Sequence, residues 1–161
     1  MKIFPNKDYS IELNKDSLSA ITDLKNQTLS KDQFVVNWNN QSFIGKVEKN
    51  KFELKISKKI IGEFCVIKGK LENQKGTLEI RTGKIIKIIF VAIVLFAFLG
   101  IITAIIKTEW ELIFNLAMTI LVMRFIFLEL GFKLASKNGI NKLSEIIEII
   151  EIIEIKKMTK K

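Results

Sequence analysis

Residues 88–106 read IIFVAIVLFAFLGIITAII, an apolar stretch of 19 residues without a charged side chain. At about 1.5 Å of rise per residue, an α-helix of this length spans close to 30 Å, the thickness of a bilayer's hydrocarbon core. The stretch lies in the middle of the chain, and the N-terminal sequence MKIFPNKDYS lacks the apolar region of a secretory signal. The sequence therefore predicts a transmembrane helix at residues 88–106.

A second apolar stretch follows after a short polar link. Residues 112–135 read LIFNLAMTILVMRFIFLELGFKLA and are long enough to span a bilayer, although polar and charged side chains interrupt them. The link, residues 107–111, is short enough to be only the tip of a helical hairpin, and the amphipathic ring of Trp110 suits the headgroup zone. We therefore expect a two-helix transmembrane hairpin over residues 85–135. A pair of buried helices in a soluble protein is the alternative.

Lys and Arg residues set the expected orientation of the hairpin. They are concentrated on its two flanks, whereas the loop between the helices has only Lys107. The flanking residues are Lys68, Lys70, Lys75, Arg81, Lys84 and Lys87 on one side and Lys133, Lys137 and Lys142 on the other. The positive-inside rule then predicts a multi-pass membrane protein, with the lipid bilayer as its partner and both termini in the cytoplasm.

The polar residues of the second stretch are candidate membrane or oligomer contacts, as is Trp110. Asn115 is expected level with Thr103 of the first helix, where the two side chains could share a hydrogen bond. Glu129 and Lys133 are four residues apart with the acid first, the favourable order for a helical ion pair. Arg124 is five residues from Glu129, about 140° around an α-helix. Either it snorkels toward the cytoplasmic headgroups, or it is buried in a homo-oligomer interface or a watery path.

Residues 1–84 predict a cytosolic β-rich domain. Apolar and polar residues alternate in short runs with the period of half-buried strands, and turn signals between the runs favour antiparallel neighbours. The apolar members of these runs are Tyr9, Ile11 and Leu13; Phe34, Val36 and Trp38; Phe43 and Val47; Phe52, Leu54 and Ile56; Phe64, Val66 and Leu71; Leu78 and Ile80. Because these strands can pair among themselves, we expect the segment to fold on its own.

One part of this domain has helical spacing instead. Leu18, Ile21 and Leu24 recur as on an amphipathic helix, and Asn14 or Asp16 can cap its first turn. The predicted fold class is thus an α+β membrane protein. An antiparallel β-rich domain with one helix is followed by the transmembrane hairpin and a C-terminal helix.

Glycines inside the strand patterns have their own interpretation. Gly45 and Gly69 predict a β-bulge or a sharp bend, because a glycine within a strand usually marks one of these features. Gly76 is expected to be a turn glycine.

Three motifs on the predicted strands precede the two apolar stretches. They are Phe43-Ile44-Gly45-Lys46-Val47 with Phe52, Phe64-Cys65-Val66-Ile67-Lys68-Gly69-Lys70-Leu71, and Gly76-Thr77-Leu78-Glu79-Ile80. In this order they resemble a family of small uncharacterised bacterial membrane proteins, with an N-terminal β-rich domain followed by two transmembrane helices. The resemblance covers residues 1–132 and implies this architecture in a bacterial inner membrane, but the family has no assigned chemistry. Its members have Arg-Asn-Ser and a Pro where this chain has Gly62-Glu63-Phe64, so a site built from those residues is not implied.

The C-terminal residues 136–161 contain the repeat EIIEIIEIIEI. Its acidic residues recur every three positions, so on an α-helix they rotate by about 60° at each step and leave no clean apolar face. They are Glu145, Glu148, Glu151 and Glu154. We expect an amphipathic or self-associating helix against the membrane or another chain, followed by a basic tail suited to anionic headgroups.

Composition excludes several kinds of site. The chain has no His and one Cys, which rules out His-based catalytic triads, His-ligated zinc and intrachain disulfides. Cys65 lies among apolar residues and is predicted to be a packed strand residue. Up to Lys84 there are 16 Lys or Arg residues against 10 Asp or Glu, a net charge of +6 that is spread along the segment without a dense basic run, which does not favour nucleic acid. No catalytic residue, metal ligand or cofactor is predicted.

Three functions are compatible with this organisation. The leading hypothesis is a non-enzymatic, membrane-anchored binding or scaffold module whose cytosolic domain binds a protein or a small ligand. The second is a ligand-gated membrane-disrupting effector of a nucleotide-signalled defence system, although such effectors place their helices before the β domain. The third is an enzyme that acts on lipid.

Overall fold

The computed structural model describes residues 3–30, 41–57 and 61–155. It has an α+β fold with one seven-stranded mixed sheet and a long helical hairpin. The strands are β1 Asn6–Leu13, β2 Thr28–Ser30, β3 Phe43–Val47, β4 Lys51–Ile56, β5 Cys65–Glu72, β6 Lys75–Thr82 and β7 Ile149–Glu154. The helices are α1 Ser17–Asn26, α2 Ile61–Phe64, α3 Lys84–Ile106, α4 Trp110–Val122 and α5 Glu129–Ile147. A π-helical segment, Met123–Leu128, joins α4 to α5.

The sheet has the strand order β2-β3-β4-β5-β6-β1-β7. β2 and β3 pair in parallel, and all other neighbouring strands pair antiparallel as the alternation predicts. The strands predicted around Tyr9, Phe43, Phe52 and Leu78 are confirmed. The strand predicted at residues 34–38 lies outside the described residues.

Two details of the β5–β6 hairpin differ from the prediction. Phe64 ends the short helix α2, so β5 starts one residue later and directs Cys65, Ile67 and Leu71 into the core. Gly76 lies in β6 rather than in the turn. A Cβ atom added to it would stand 2.6 Å from Leu71 Cδ2, so the lack of a side chain is needed for packing.

Helix α1 forms where its spacing predicts it. Asp16 is the N-cap, because its carboxylate accepts a hydrogen bond of 3.1 Å from the backbone N–H of Ser19. Ile21 and Leu24 are buried against the sheet as expected. The prediction for Leu18 is wrong, since this side chain is exposed and the third buried position belongs to Ala20.

The expectation of a bulge or bend at Gly45 and Gly69 is wrong. Both residues lie in uninterrupted antiparallel registers. A Cβ atom at Gly45 would stand 2.0 Å from the carbonyl oxygen of Glu53 on β4, and one at Gly69 would stand 2.2 Å from Cζ of Phe52. These glycines therefore allow close approach of the next strand and of an aromatic ring.

The hydrophobic core lies between one face of the sheet and the helices α1 and α5. The helix that returns from the hairpin contributes a buried stripe at helical spacing, Leu128, Phe132, Ala135, Leu143 and Ile147. A Cβ atom added to Gly139, on the same side of α5, would stand 2.7 Å from Cδ1 of Ile67 on β5. Residues from both sides of the hairpin therefore share one core, and the segment 1–84 taken by itself lacks α5, one of the two helices that cover its sheet.

The end of the chain turns back along the sheet as its edge strand. α5 ends at Ile147, and Glu148 reverses the chain with a left-handed φ of 54°. Lys15 Nζ holds this reversal through the carbonyl oxygen of Ile146 at 3.0 Å and the carboxylate of Glu148 at 3.3 Å. The predicted C-terminal helix is thus correct up to Ile147 and wrong for β7. The repeat suits a strand as well as a helix, and pairing with β1 selects the strand. Residues 156–161 lie outside the described part of the chain.

Candidate functional site

The helical hairpin is the most unusual surface of the protein. α3 and the continuous helix Trp110–Ile147 are both long and apolar enough to cross a membrane. In the most apolar window of each helix only 17% and 6% of the residues are buried within the protein. Large side chains such as Phe96, Leu99 and Phe114 are exposed. A core helix of a soluble protein is mostly buried, so the length, composition and low burial of these two helices suggest membrane association.

The two helices of the hairpin meet through small residues. Ala97 and Ala104 of α3 are buried, and Gly100 lies between them on the same side of the helix. A Cβ atom at Gly100 would stand 2.9 Å from Cδ1 of Leu116 on the facing helix. Small residues at such spacing let helix backbones approach closely, which is a common packing mode in membranes. The sequence analysis did not identify these three residues, although their spacing was visible in it.

The predicted hydrogen bond between Thr103 and Asn115 is wrong. Thr103 is exposed, and its hydroxyl donates to the carbonyl oxygen of Gly100 at 2.8 Å, within its own helix. Asn115 is exposed as well. The prediction failed because it assigned the helix contact to polar residues, whereas the contact uses the small ones.

Arg124 lies in the π-helical segment and forms an ion pair. Its guanidinium Nη1 is 3.1 Å from Oε2 of Glu129, and only 14% of the Arg124 side chain is exposed. The guanidinium carbon also lies 5.5 Å from the ring centre of Phe125. The expected pair of Glu129 with Lys133 is therefore wrong. An α-helix separates residues five apart by about 140°, but the i→i+5 bonding of a π-helix brings them to the same side.

The hairpin tip lies at the end that the sequence predicts. α3 ends at Ile106, the loop passes through Thr108 with a positive φ of 60°, and α4 begins at Trp110. The Trp110 side chain is exposed at this tip, at the opposite end of the hairpin from the sheet. Its place is suited to the headgroup zone of a bilayer.

The hairpin is joined to the sheet at both of its ends without a flexible linker. Gly83 alone separates β6 from α3, and the returning helix continues into α5. Edge-to-face ring contacts link the two parts, from Phe4 to Phe90 at 5.7 Å and from Phe64 to Phe127 at 5.1 Å between ring centres. The hairpin is therefore packed directly against the sheet.

Two aromatic residues of the motifs that carry the family resemblance, Phe43 and Phe64, lie in the interior. Phe43 is fully buried. Phe64 is also buried and lies so close to Gly131 of α5 that an added Cβ atom would stand 2.2 Å from its ring. These motif residues, together with the strand glycines, therefore build the fold and do not form an exposed site.

The described residues offer little for catalysis. Cys65 is buried, as predicted, and burial raises the pKa of its thiol to about 12, so it stays protonated. Charged side chains on the outer face of the sheet pair with one another, as in Lys68 with Glu53 at 2.9 Å. Within residues 3–30, 41–57 and 61–155, no three acidic, Cys or His side chains are grouped as metal ligands.

Comparison of the chain with protein-family models, with curated proteins and with solved structures gave no match. The resemblance to small bacterial membrane proteins therefore stays a prediction. What the protein does must be inferred from its own surfaces.

Proposed function

We propose that this protein is a non-enzymatic, membrane-anchored binding or scaffold module. In this proposal α3 and the first part of the returning helix cross a bilayer, and the sheet stands on one side as the binding part. The observation that carries it is the apolar surface of the hairpin, which is largely exposed outside the contact between its two helices, while the sheet has a buried core. A hydrocarbon environment satisfies that surface without a second protein.

The dimensions of the hairpin support a full crossing. α3 has 23 residues, which at about 1.5 Å each gives about 34 Å, slightly more than a hydrocarbon core of about 30 Å. All backbone groups between the two ends are within helices apart from the short tip, as a spanning segment requires.

The charges favour the sheet on the cytoplasmic side of a bacterial inner membrane. Lys84 and Lys87 lie in the first turns of α3 and Lys133 lies in α5, all at the end of the hairpin next to the sheet. Only Lys107 lies at the tip, so the positive-inside rule favours a tip on the outer side of the membrane.

The position of Arg124 agrees with a hairpin that serves as a membrane anchor. Gly100 faces Leu116 across the antiparallel hairpin, so Arg124 lies opposite about Ala92 of α3. At 1.5 Å per residue, this is roughly 12 Å along the helix axis from Lys84. Its partner Glu129 lies further toward the sheet, so the guanidinium points to the proposed cytoplasmic headgroups. This arrangement favours the snorkelling interpretation over a watery path.

A cysteine-labelling experiment tests the proposal. Cys65 is a poor reporter because it is buried, so it is first replaced by Ala. Single cysteines are then placed at Thr108, in the tip, and at the exposed Lys49, between β3 and β4. An impermeant maleimide added to intact cells should label T108C only, and after lysis it should label both.

Two results would contradict the proposal. Labelling of K49C in intact cells would place the sheet outside, and recovery of the protein in the soluble fraction after alkaline extraction would exclude a spanning hairpin. Leakage of a vesicle-trapped dye caused by the purified protein would instead favour a membrane-disrupting effector.

A further inference from the structure

Among the described residues, no strand pairs with the outer edge of β7. It is the last strand in the sheet order, and among the described residues it pairs only with β1. Ile150 and Ile153 are more than half exposed, at 68% and 55%, and Ile152 is exposed at 37%. Exposed edge strands are templates for another strand, and soluble proteins usually guard them with Lys, Pro or a bulge. Here the charges on β7 are Glu151 and Glu154 alone, and the bulge lies at its first pair with β1.

We propose that the free edge of β7 is the docking site for an extended segment of another protein, in which apolar and basic residues alternate. The inference rests on the proposed function, because it names the partner of the membrane-anchored domain. Such a segment would add an eighth strand to the sheet, with its backbone supplying the hydrogen bonds and its side chains the specificity.

The two faces of β7 explain the alternation. Ile152 pairs with Ile11 and lies on the core side of the sheet, so it offers an apolar contact to the neighbouring residue of an added strand. Glu154 lies on the same side and is already paired with Lys7 at 3.4 Å.

The outer side of β7 offers a carboxylate. There Glu151 lies opposite Glu12 and lines a shallow groove with Ile153 and Lys75. Lys75 Nζ lies 4.0 Å from Glu12 Oε1, whereas no Lys or Arg among the described residues forms an ion pair with Glu151. A Lys or Arg side chain of the added strand can therefore lie along Ile153 with its charge at Glu151.

A second copy of β7 does not fit this edge when both chains lie in one bilayer. β7 runs toward the hairpin end of the sheet, because Glu154 pairs with Tyr9 and the start of β1 pairs with the end of β6, just before α3. An antiparallel copy would direct its hairpin away from the membrane. A parallel copy, related by a two-fold axis along the strands, would place identical residues of the two chains directly opposite each other. The hydrogen bonds of a parallel pair require these residues to be shifted along the strands, so this arrangement does not form a ladder either. Like charges on the two copies would add repulsion.

Peptide binding to the full-length protein in nanodiscs of neutral phosphatidylcholine tests the proposal. The probe is a fluorescent heptapeptide of alternating Val and Lys, capped at both ends. One control peptide has the same residues in two blocks, and another has the alternating sequence with N-methyl groups that block every second backbone N–H. We expect the alternating peptide to bind at least about tenfold more tightly than either control, because only it can form the ladder with the correct faces.

Variants locate the site. Glu151→Lys should weaken binding by about fivefold or more, since it reverses the charge that meets the basic side chains. Glu72→Lys is the matched control, because it makes the same change on an exposed residue of β5, three strands away in the sheet. It should leave the affinity unchanged. Circular dichroism and thermal unfolding of each variant show whether the fold is retained.

The outcomes separate this inference from the proposed function. Equal binding of all three peptides, or equal weakening by E72K and E151K, would overturn the docking edge in favour of general electrostatic attraction. A wild-type oligomer in nanodiscs that E151K alters would overturn it in favour of self-association. Failure of the protein to enter the membrane would contradict the proposed membrane anchor. A correctly inserted protein that binds no peptide would contradict only the proposed docking site on β7.

Discussion

Removal of everything after β6 should abolish folding of the sheet. The perturbation is a fragment that ends at Gly83, which keeps β1 to β6 and α1 but lacks α5 and β7. The sequence alone suggests that this fragment folds. The structure suggests the opposite, because α5 covers the core face of the sheet.

The expected loss can be worked from the buried side chains. Four large apolar residues of the returning helix are no more than 2% exposed: Leu128, Phe132, Leu143 and Ile147. Burial of each contributes about 1.5–3 kcal/mol, so together they contribute about 6–12 kcal/mol. This is comparable with the whole free energy of unfolding of a domain, about 5–15 kcal/mol. The fragment also exposes the sheet residues that α5 covers, such as Ile67.

The assay is chemical unfolding followed by far-UV circular dichroism. The fragment should aggregate or unfold without a cooperative transition. The matched control is a chain in which the hairpin is replaced by about eight Gly and Ser residues between Gly83 and Leu128, a linker of about 15 Å average span. Since it restores α5 and β7, it should be soluble and unfold cooperatively. A monomeric fragment that unfolds cooperatively by itself would refute the reasoning.

Three other predictions concern single side chains. Glu129→Leu should lower the thermal stability in detergent more than the double variant Arg124→Leu/Glu129→Leu does, because only the single variant keeps the Arg124 charge and removes the Glu129 carboxylate that pairs with it. Loss of an oligomer on Arg124→Leu would contradict the interpretation of this helix as an anchor only. Lys15→Met should cost about 1.5–3 kcal/mol in urea unfolding, since it removes charge-assisted bonds at the end of α5. Burial lowers the pKa of Lys15, but its hydrogen bonds and charge interactions with Asp23 and Glu148 raise the pKa overall above 10.5. This stabilisation is therefore complete below pH 10.5 and is lost as the pH rises through the pKa of the folded state. A stability difference between wild type and Lys15→Met that grows above pH 10.5 would argue against it. Cys65 should stay unreactive toward Ellman's reagent at pH 8 until urea unfolds the protein; rapid native reaction would show that the thiol is accessible.

Local pattern was enough for much of this fold. The apolar run of α3, the polar link at the tip and the period-two strands each reflect an environment that neighbouring residues share, so the hairpin and most strands could be predicted. The capping carboxylate of Asp16 and the buried thiol of Cys65 were predictable for the same reason.

Long-range contacts decided the rest. The repeat in β7 is compatible with helix and strand, and the edge of β1, more than 130 residues earlier in the chain, selects the strand. The pair of Arg124 with Glu129 depends on a π-helical segment that no residue pattern marks.

The sequence by itself determined that the chain has an apolar hairpin and a β-rich part, because hydrophobic periodicity is a local property. Only the tertiary structure decided that α5 and β7, on the far side of the hairpin, complete the core and the edge of the sheet. The physical reason is that an apolar sheet face must be covered and that a strand edge can pair with any segment that reaches it, and the sequence does not say which distant segment will do so.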